Sequence, residues 1–317
     1  MNSHAPEEDG VNKPLVTFAL FAYNQEAYIR EAMEGALSQT YEPLEIVFSD
    51  DRSSDRTFEI MQEVVASYKG PHSIHLRRSQ ENRGLLGHIN EAARSFSGEI
   101  VLMAAGDDVS APHRTARVIS AFLSSDDVMA VYTDVTEAST TAVLKDETAR
   151  KLDVVSLYES VFRGGGVGLG AAYAYRRKCF FWPTDLPAHI YSEDRILPLR
   201  AAMLGRVVYL PEALVFYRRL NTGATSALIK KGNRSPLDWP PHVSAVLSEL
   251  SEGRKAGKIT SFECFRCSLA IQSRHHSRRL GPGKSPASRL LIRSLRGCVT
   301  VFFRMLIPYR RHIKLIS

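Results

Sequence analysis

The sequence predicts an α/β fold: a mostly parallel sheet flanked by helices, with a basic and mainly helical extension at the C-terminal end. Three observations predict it. Short apolar runs recur at a nearly constant interval through the first hundred residues, helix-like stretches fill the gaps, and residues 228–317 carry a net charge opposite in sign to the rest. The runs end near Phe21 (VTFALF), Ser49 (EIVFS), Leu76 (SIHL) and Met103 (EIVLM), so successive ends fall 28, 27 and 27 residues apart. Strand, helix and strand at this period describe a parallel sheet built from crossover units and covered on both faces.

Between the runs lie helical stretches at Glu26–Ser38, Thr57–Tyr68 and Leu85–Phe96, the second preceded by the N-cap candidates Ser54 and Asp55. Residues 134–155 form a polar connection. The glycine cluster Gly164 to Gly170 precedes a strand at Ala171–Tyr175 rather than opening a helix, so it reads as a substrate-side loop and not as a phosphate cradle. Neither a P-loop nor a G-x-G-x-x-G follows the first strand, which disfavours P-loop and nicotinamide enzymes. Glu193 and Asp194 begin a further helix, VVYLPEALVFYRR ends in Arg218 and Arg219, and Leu228–Pro241 reads as a loop interrupted by Pro236, Pro240 and Pro241.

With 317 residues, 44% of them hydrophobic and 24% charged, the chain has enough apolar material for a large core. General disorder, a disulfide miniprotein and a collagen-like fibre are excluded. No window reaches the roughly 20 uninterrupted apolar residues of a membrane-spanning helix. Met1–Pro14 carries Glu7, Glu8 and Asp9 without an apolar run, the wrong chemistry for a secretory signal, so the expected location is the cytoplasm. Residues 1–13 are expected to be a flexible leader. Among the four cysteines only Cys264 and Cys267 have a metal-like spacing; a lone C-x-x-C is weak evidence for zinc and reads as ordinary thiols.

The net charge of +7 is unevenly placed. Residues 228–317 hold 18 Lys and Arg against 4 Asp and Glu, a net of +14, whereas residues 1–227 hold 23 against 30, a net of −7. The basic part should face something anionic. After Gly281-Pro282-Gly283 a helix is expected at about 287–307, with Arg289, Arg293, Arg296 and Arg304 within roughly 80° of one another and Leu291, Leu295, Val299, Phe302 and Leu306 opposite. Such a helix suits an anionic membrane interface, giving peripheral contact on the cytoplasmic face. Packing of its apolar face on the catalytic domain is the rival reading. Nucleic acid is disfavoured, because no reader motif or stacking platform accompanies the charge.

In open sheets of this kind ligands bind beyond the carboxyl ends of the strands. Ala22-Tyr23-Asn24-Gln25 follows the first run, Asp50-Asp51-Arg52-Ser53-Ser54-Asp55 the second, and Gly106-Asp107-Asp108 the fourth. One carboxylate suffices to cap a helix. Two Asp-Asp pairs at one crevice are costly unless a cation or a hydrogen-bond-donating ligand offsets them.

These residues resemble the inverting glycosyltransferases of family 2, with the GT-A fold. VTFALFAYNQEAYI resembles that family's opening strand, SDDRSSDRT its D-D-G-S-x-D-x-T, NRGLLGHINEAARSFSGEIVLM its N-x-G segment and GDDVSAP its D-x-D region. GAAYAYRRKCF and SEDRILPLRAAMLG resemble the acceptor-side strand and the Glu-Asp helix, so the likeness spans about residues 14–220 and defines a GT-A domain at 14–227, followed by the basic region at 228–317.

The resemblance implies a nucleotide-sugar donor, UDP-linked by default, and a glycan or lipid-linked acceptor in surface polysaccharide or glycolipid assembly. It places Ala22, Tyr23, Asn24 and Glu26 along the nucleotide and Asp51 on the base. Arg83, Arg218 and Arg219 fall near the diphosphate, and Asp107 serves the ribose or shares a metal. Asp108 is the principal ligand of Mn2+ or Mg2+, Asp194 the catalytic base and Glu193 the second choice. Arg52 and Arg56 stand where glycines are common, and Ala105 where many members have the first Asp of D-x-D. The rival classes are a silent nucleotide-sugar-binding relative and a sugar-phosphate nucleotidyltransferase, which would open on a glycine-rich basic signature.

Overall fold

The computed structural model describes residues 13–137, 153–157, 168–188, 190, 192–219 and 240–279. Its first half alternates as expected: β1 (Val16–Ala22), α1 (Ile29–Leu37), β2 (Leu44–Asp50), α2 (Thr57–Ser67), β3 (Ser73–Arg78), α3 (Gly84–Ala93) and β4 (Ile100–Ala105). Helix α1 begins three residues later than Glu26, because the N–H groups of Tyr28 and Ile29 both close onto the Gln25 carbonyl at 2.9 Å and form a turn first. The second half comprises β5 (Val109–Ser110), α4 (Arg114–Phe122), β6 (Val128–Thr136), β7 (Asp153–Val155), β8 (Tyr173–Arg176), α5 (Lys178–Phe181), α6 (Glu193–Leu204), β9 (Arg206–Phe216), α7 (Pro240–Lys255) and α8 (Ser261–Arg279).

Among the described residues the strands lie in the order β3-β2-β1-β4-β8-β6-β9-β5, with β7 also on β9. The pairs β1–β2, β2–β3, β1–β4 and β6–β9 are parallel, whereas β8 runs antiparallel to both β4 and β6. Strand alternation divides the core in two. Phe18, Leu20, Ile46, Phe48 and Leu102 face α1, α2 and α4; Ala19, Phe21, Val47, Val101 and Met103 face α3 and α6. Each fully buried side chain of this size contributes about 1.5–3 kcal/mol. At one margin, β3 presents exposed Ser73 and His75, while Arg77 pairs with Glu91 and Arg78 with Asp50 at 2.9 Å.

Two expected loops are shorter than the sequence suggested. Strand β6 continues to Thr136 and β7 occupies 153–155, inside the stretch read as a polar connection. Pro240 and Pro241 open α7 rather than interrupt the chain, since first-turn N–H groups lack intrahelical acceptors and a missing one costs nothing there.

The start of the basic region is bound to the sheet domain. Leu250 of α7, Ile259 and Cys267 of α8 share a core with Leu199 and Met203 of α6. Arg200, fully buried, donates to both Glu249 carboxylate oxygens at 2.9 and 2.7 Å and to the carbonyls of Thr184, Phe180 and Asp185 at 2.9, 3.3 and 3.3 Å. Cys267 is a buried free thiol whose pKa burial pushes up to about 12, the state of a packing residue. No helix among the described residues is long and apolar enough to cross a membrane. The expected amphipathic helix at 287–307 lies outside the described residues.

Candidate active site

The end of β1 is the centre of the crevice. Ala22 is in register with Asp50 on β2, and Phe21 with Ala105 on β4. Beyond the strands, the Asp51 N–H bonds the Ala22 carbonyl and the Gly106 N–H the Phe21 carbonyl, each at 2.9 Å. The two acidic turns predicted from sequence thus flank one strand end.

The adjacent carboxylates Asp50 and Asp51 do different things. Asp50, with no exposure, pairs with Arg78 and accepts from the N–H and hydroxyl of Ser53, so it shapes the turn. Asp51 reaches toward the start of α3 and accepts the Arg83 N–H at 2.9 Å. Burial raises its pKa to about 6, against the lowering by the Arg83 and Gly84 N–H groups. Arg52 adopts φ of +62°, the left-handed geometry that a glycine would take, so this departure from the family pattern alters the side chain and not the path of the backbone.

Asn24 and Glu26 are joined to the β2–α2 turn. The Asn24 N–H donates to the Ser53 hydroxyl at 2.9 Å, and its side-chain oxygen accepts the Ser54 N–H at 2.8 Å. The Glu26 N–H donates to Asp55 at 3.1 Å, and its carboxylate accepts the Arg56 N–H at 2.9 Å. Tyr23 is half exposed at the rim, and Ala22 is buried. Arg83 pairs with Glu81 at 2.6 Å and lies 3.8 Å from Glu91.

At the β4 turn, a Cβ on Gly106 would lie 2.5 Å from Gln25 Oε1 and 2.9 Å from the Ala22 methyl, so only glycine lets the loops close. Asp107 accepts a hydrogen bond from Gln25, and its pKa is raised by burial. Asp108, 5% exposed, has its pKa raised to about 7, first by burial and then by Asp107. Its carboxylate accepts the Arg218 N–H at 3.0 Å. Tyr217 has its pKa raised by burial and by Asp108 and Asp107. Arg219 is largely exposed and meets Glu137 at 2.8 Å.

Fully buried Arg114 links this corner to the next. It donates to Ser110 at 2.9 Å, to the Met103 carbonyl at 2.9 Å and to the Ala171 carbonyl at 2.7 Å, and it attracts the charge on Asp108. Beside Ala171, the site of a Gly170 Cβ is filled by the Glu193 carboxylate. Glu193 and Asp194, the first residues of α6, both have their pKa raised by burial; Asp194 adds to the rise at Glu193, and Arg195, 3.8 Å from Asp194, moderates both.

Residues 17–180 match the profile of Glycosyl transferase family 2, over half of the chain. The chain belongs to that family. A glycosyltransferase of uncharacterized role from Haemophilus influenzae is 26% identical to it over 231 residues, 68% of this chain and 69% of that one. This chain spans 57% of the length of a relative from Mycobacterium bovis, 28% identical over 207 residues. TarS of S. aureus, solved with UDP-GlcNAc, superposes with a TM-score of 0.63 at 18% identity, covering 83% of this chain and 72% of that one. A mannosyltransferase from Pyrobaculum calidifontis, solved with GDP-Man and Mn2+, gives 0.57 at 18%, covering 91% and 81%. These likenesses show that this family 2 glycosyltransferase has the GT-A type of fold.

Among the described residues of the glycosyltransferase no group of three or more His, Cys, Asp or Glu is arranged to hold a metal. Asp107 and Asp108 nevertheless fit a hard divalent ion: both are oxygen donors, desolvated and mutually repelling, with an imbalance that a cation would relieve. Two carboxylates suffice where substrate phosphates and waters complete the shell. Glu31, Arg114 and Tyr217 also border this constellation, and sequence reasoning missed them. Each acts through a contact remote in sequence, so no local pattern marks it.

Proposed function

We propose that this protein is a metal-dependent, inverting hexosyltransferase. It moves a sugar from a nucleoside-diphosphate donor, UDP-linked by default, to a hydroxyl of a glycan or lipid-linked acceptor in surface polysaccharide or glycolipid assembly. The observation that carries the reading is the placement of two carboxylate pairs with raised proton affinity, Asp107–Asp108 and Glu193–Asp194: Arg114 attracts the charge on Asp108 and donates to the Ala171 carbonyl, next to the Gly170 against which Glu193 lies. Peripheral contact with the cytoplasmic face of a membrane, through the basic C-terminal residues, is part of the same proposal.

In the proposed reaction the acceptor oxygen attacks the anomeric carbon as the bond to the diphosphate breaks, and Asp194 takes the hydroxyl proton. Asp107 and Asp108 would hold Mn2+ or Mg2+, whose charge stabilises the leaving diphosphate. Ala22, Tyr23, Asn24 and Glu26 line the nucleotide side, Asp51 accepts a hydrogen bond from the base, and Arg83, Arg218 and Arg219 stand on the diphosphate side.

The test is a panel of nucleotide-sugars with Mn2+ or Mg2+, read by protection against thermal unfolding and by slow donor hydrolysis. Asp108→Ala will abolish the metal-dependent part of the protection. Retention of that part by the variant would remove Asp108 from the ligand set.

A pH dependence follows from Asp51. Only its ionised form accepts from a base N–H at both oxygens, so UDP affinity will rise through about pH 6 in parallel with ionisation. Stability of the ligand-free protein moves the other way. A carboxylate whose folded pKa is raised binds more protons folded than unfolded, so this contribution falls between about pH 4 and about pH 6. Asp51→Asn, which keeps an oxygen for the Arg83 N–H, will raise the ligand-free melting temperature at pH 8 and flatten the UDP profile. An unchanged profile in a titration calorimeter would refute the assignment.

A further inference from the structure

Arg218 sits where three segments of the site meet. Its guanidinium pairs with Glu31 on the first turn of α1 and donates to the Asp107 carbonyl at 3.0 Å. Its Cζ lies over the Tyr28 and Phe216 rings, 5.3 and 5.4 Å from their centroids. Its backbone N–H donates to the Asp108 carboxylate at 3.0 Å. The side chain is 14% exposed, while that of Arg219 is 78% exposed.

Two aromatic rings lie within cation–π range of the guanidinium, a carboxylate pairs with its charge, and a carbonyl fixes one edge. Releasing it toward a diphosphate would take the buried guanidinium off both rings and free the turn that carries Asp107 and Asp108. Among the described residues Arg219 meets the half-exposed Glu137, across a solvent-facing contact of the kind worth under about 1 kcal/mol, so it can exchange that partner at small cost.

We infer that Glu31 and Arg218 form a latch that positions the Asp107–Asp108 turn, and that Arg219 is the arginine of the pair that faces the donor diphosphate. The inference rests on the donor-site reading above. In it Arg218 is a positioning residue and touches no substrate atom. Glu31, which no motif marks, becomes necessary because it holds the positioning arginine in place.

The experiment is UDP and GDP binding, followed by thermal protection as a function of Mn2+, in the full chain and in Glu31→Gln, Arg218→Gln, Arg219→Gln and Glu31→Gln/Arg218→Gln. Arg218→Gln will raise the Mn2+ concentration needed for half-maximal protection about tenfold, and Glu31→Gln about threefold, through loss of a charge-assisted contact. The double variant will match Arg218→Gln, since both changes break one latch. Arg219→Gln will weaken nucleotide binding at saturating Mn2+ and leave the Mn2+ requirement unchanged.

Tighter nucleotide binding in Glu31→Gln would overturn the inference, because it would mean that Arg218 is a donor ligand held back by Glu31. Additive losses in the double variant would also overturn it. Failure of the unaltered chain to bind either nucleotide with Mn2+ would instead strike the donor-site reading, and the latch would fall with it.

Discussion

Asp194→Asn will lower sugar transfer by about 10²- to 10⁴-fold, the usual range for losing a positioned general base, while Mn2+-dependent protection by the nucleotide stays within about twofold. Asp194 is the proposed base because it stands on the Glu-Asp helix that the family resemblance singles out, and the Arg195 guanidinium 3.8 Å away favours its ionised form. Glu193 lies against Gly170, with its pKa raised by burial and by Asp194. Glu193→Gln should cost less, and should move the acidic limb of the rate profile to lower pH, since it removes the neighbour that competes for protons. Near-normal transfer by Asp194→Asn, with loss confined to Glu193→Gln, would reverse the assignment.

Glu249→Ala will destabilise the protein by about 3–5 kcal/mol. The Arg200 guanidinium has no exposed surface and donates to both oxygens of Glu249. Truncating the acid strands a buried cation among the carbonyls of Phe180, Thr184 and Asp185, which cannot neutralise it. The paired change Arg200→Met/Glu249→Leu should recover most of the stability, since replacing both partners by apolar groups removes the stranded charge. Chemical denaturation of the two variants distinguishes a buried pair from an incidental one: equal loss in the single and double changes would refute this account. The pair also ties α7 to the helix that begins with Glu193 and Asp194, so a fragment ending at residue 227 should be poorly soluble, as it exposes Leu199 and Met203.

Sheet geometry was legible where it is local. The ends of β1, β2 and β4 fall within two residues of the positions marked by the apolar runs, and the paired aspartates lie at the mouth these ends create. Period and composition report such features because each residue's face depends on its immediate neighbours. Strand order in the second half was not legible: β8 enters between β4 and β6, and β9 closes on β6 and β5, by contacts between residues far apart in the chain. Asn24 and Glu26 show the same limit at the site. Their residue types suit a polar crevice, yet their hydrogen bonds run to Ser53, Ser54, Asp55 and Arg56, some thirty positions away. The prolines at 240 and 241 misled because proline both breaks helices and begins them, and only the following turn decides which.

The two margins of the sheet determine how copies of this protein can meet. On one side β3 carries His75, Arg77 and Arg78; on the other, β5 and β7 are stubs of two and three residues on β9. Among the described residues neither offers a long, flat, uncharged backbone ladder to an incoming strand, which is how natural sheets avoid amyloid-like growth. Crowded solutions should accordingly resist fibrillation, and self-association, where it occurs, has to proceed through side-chain surfaces instead of shared hydrogen-bond rungs.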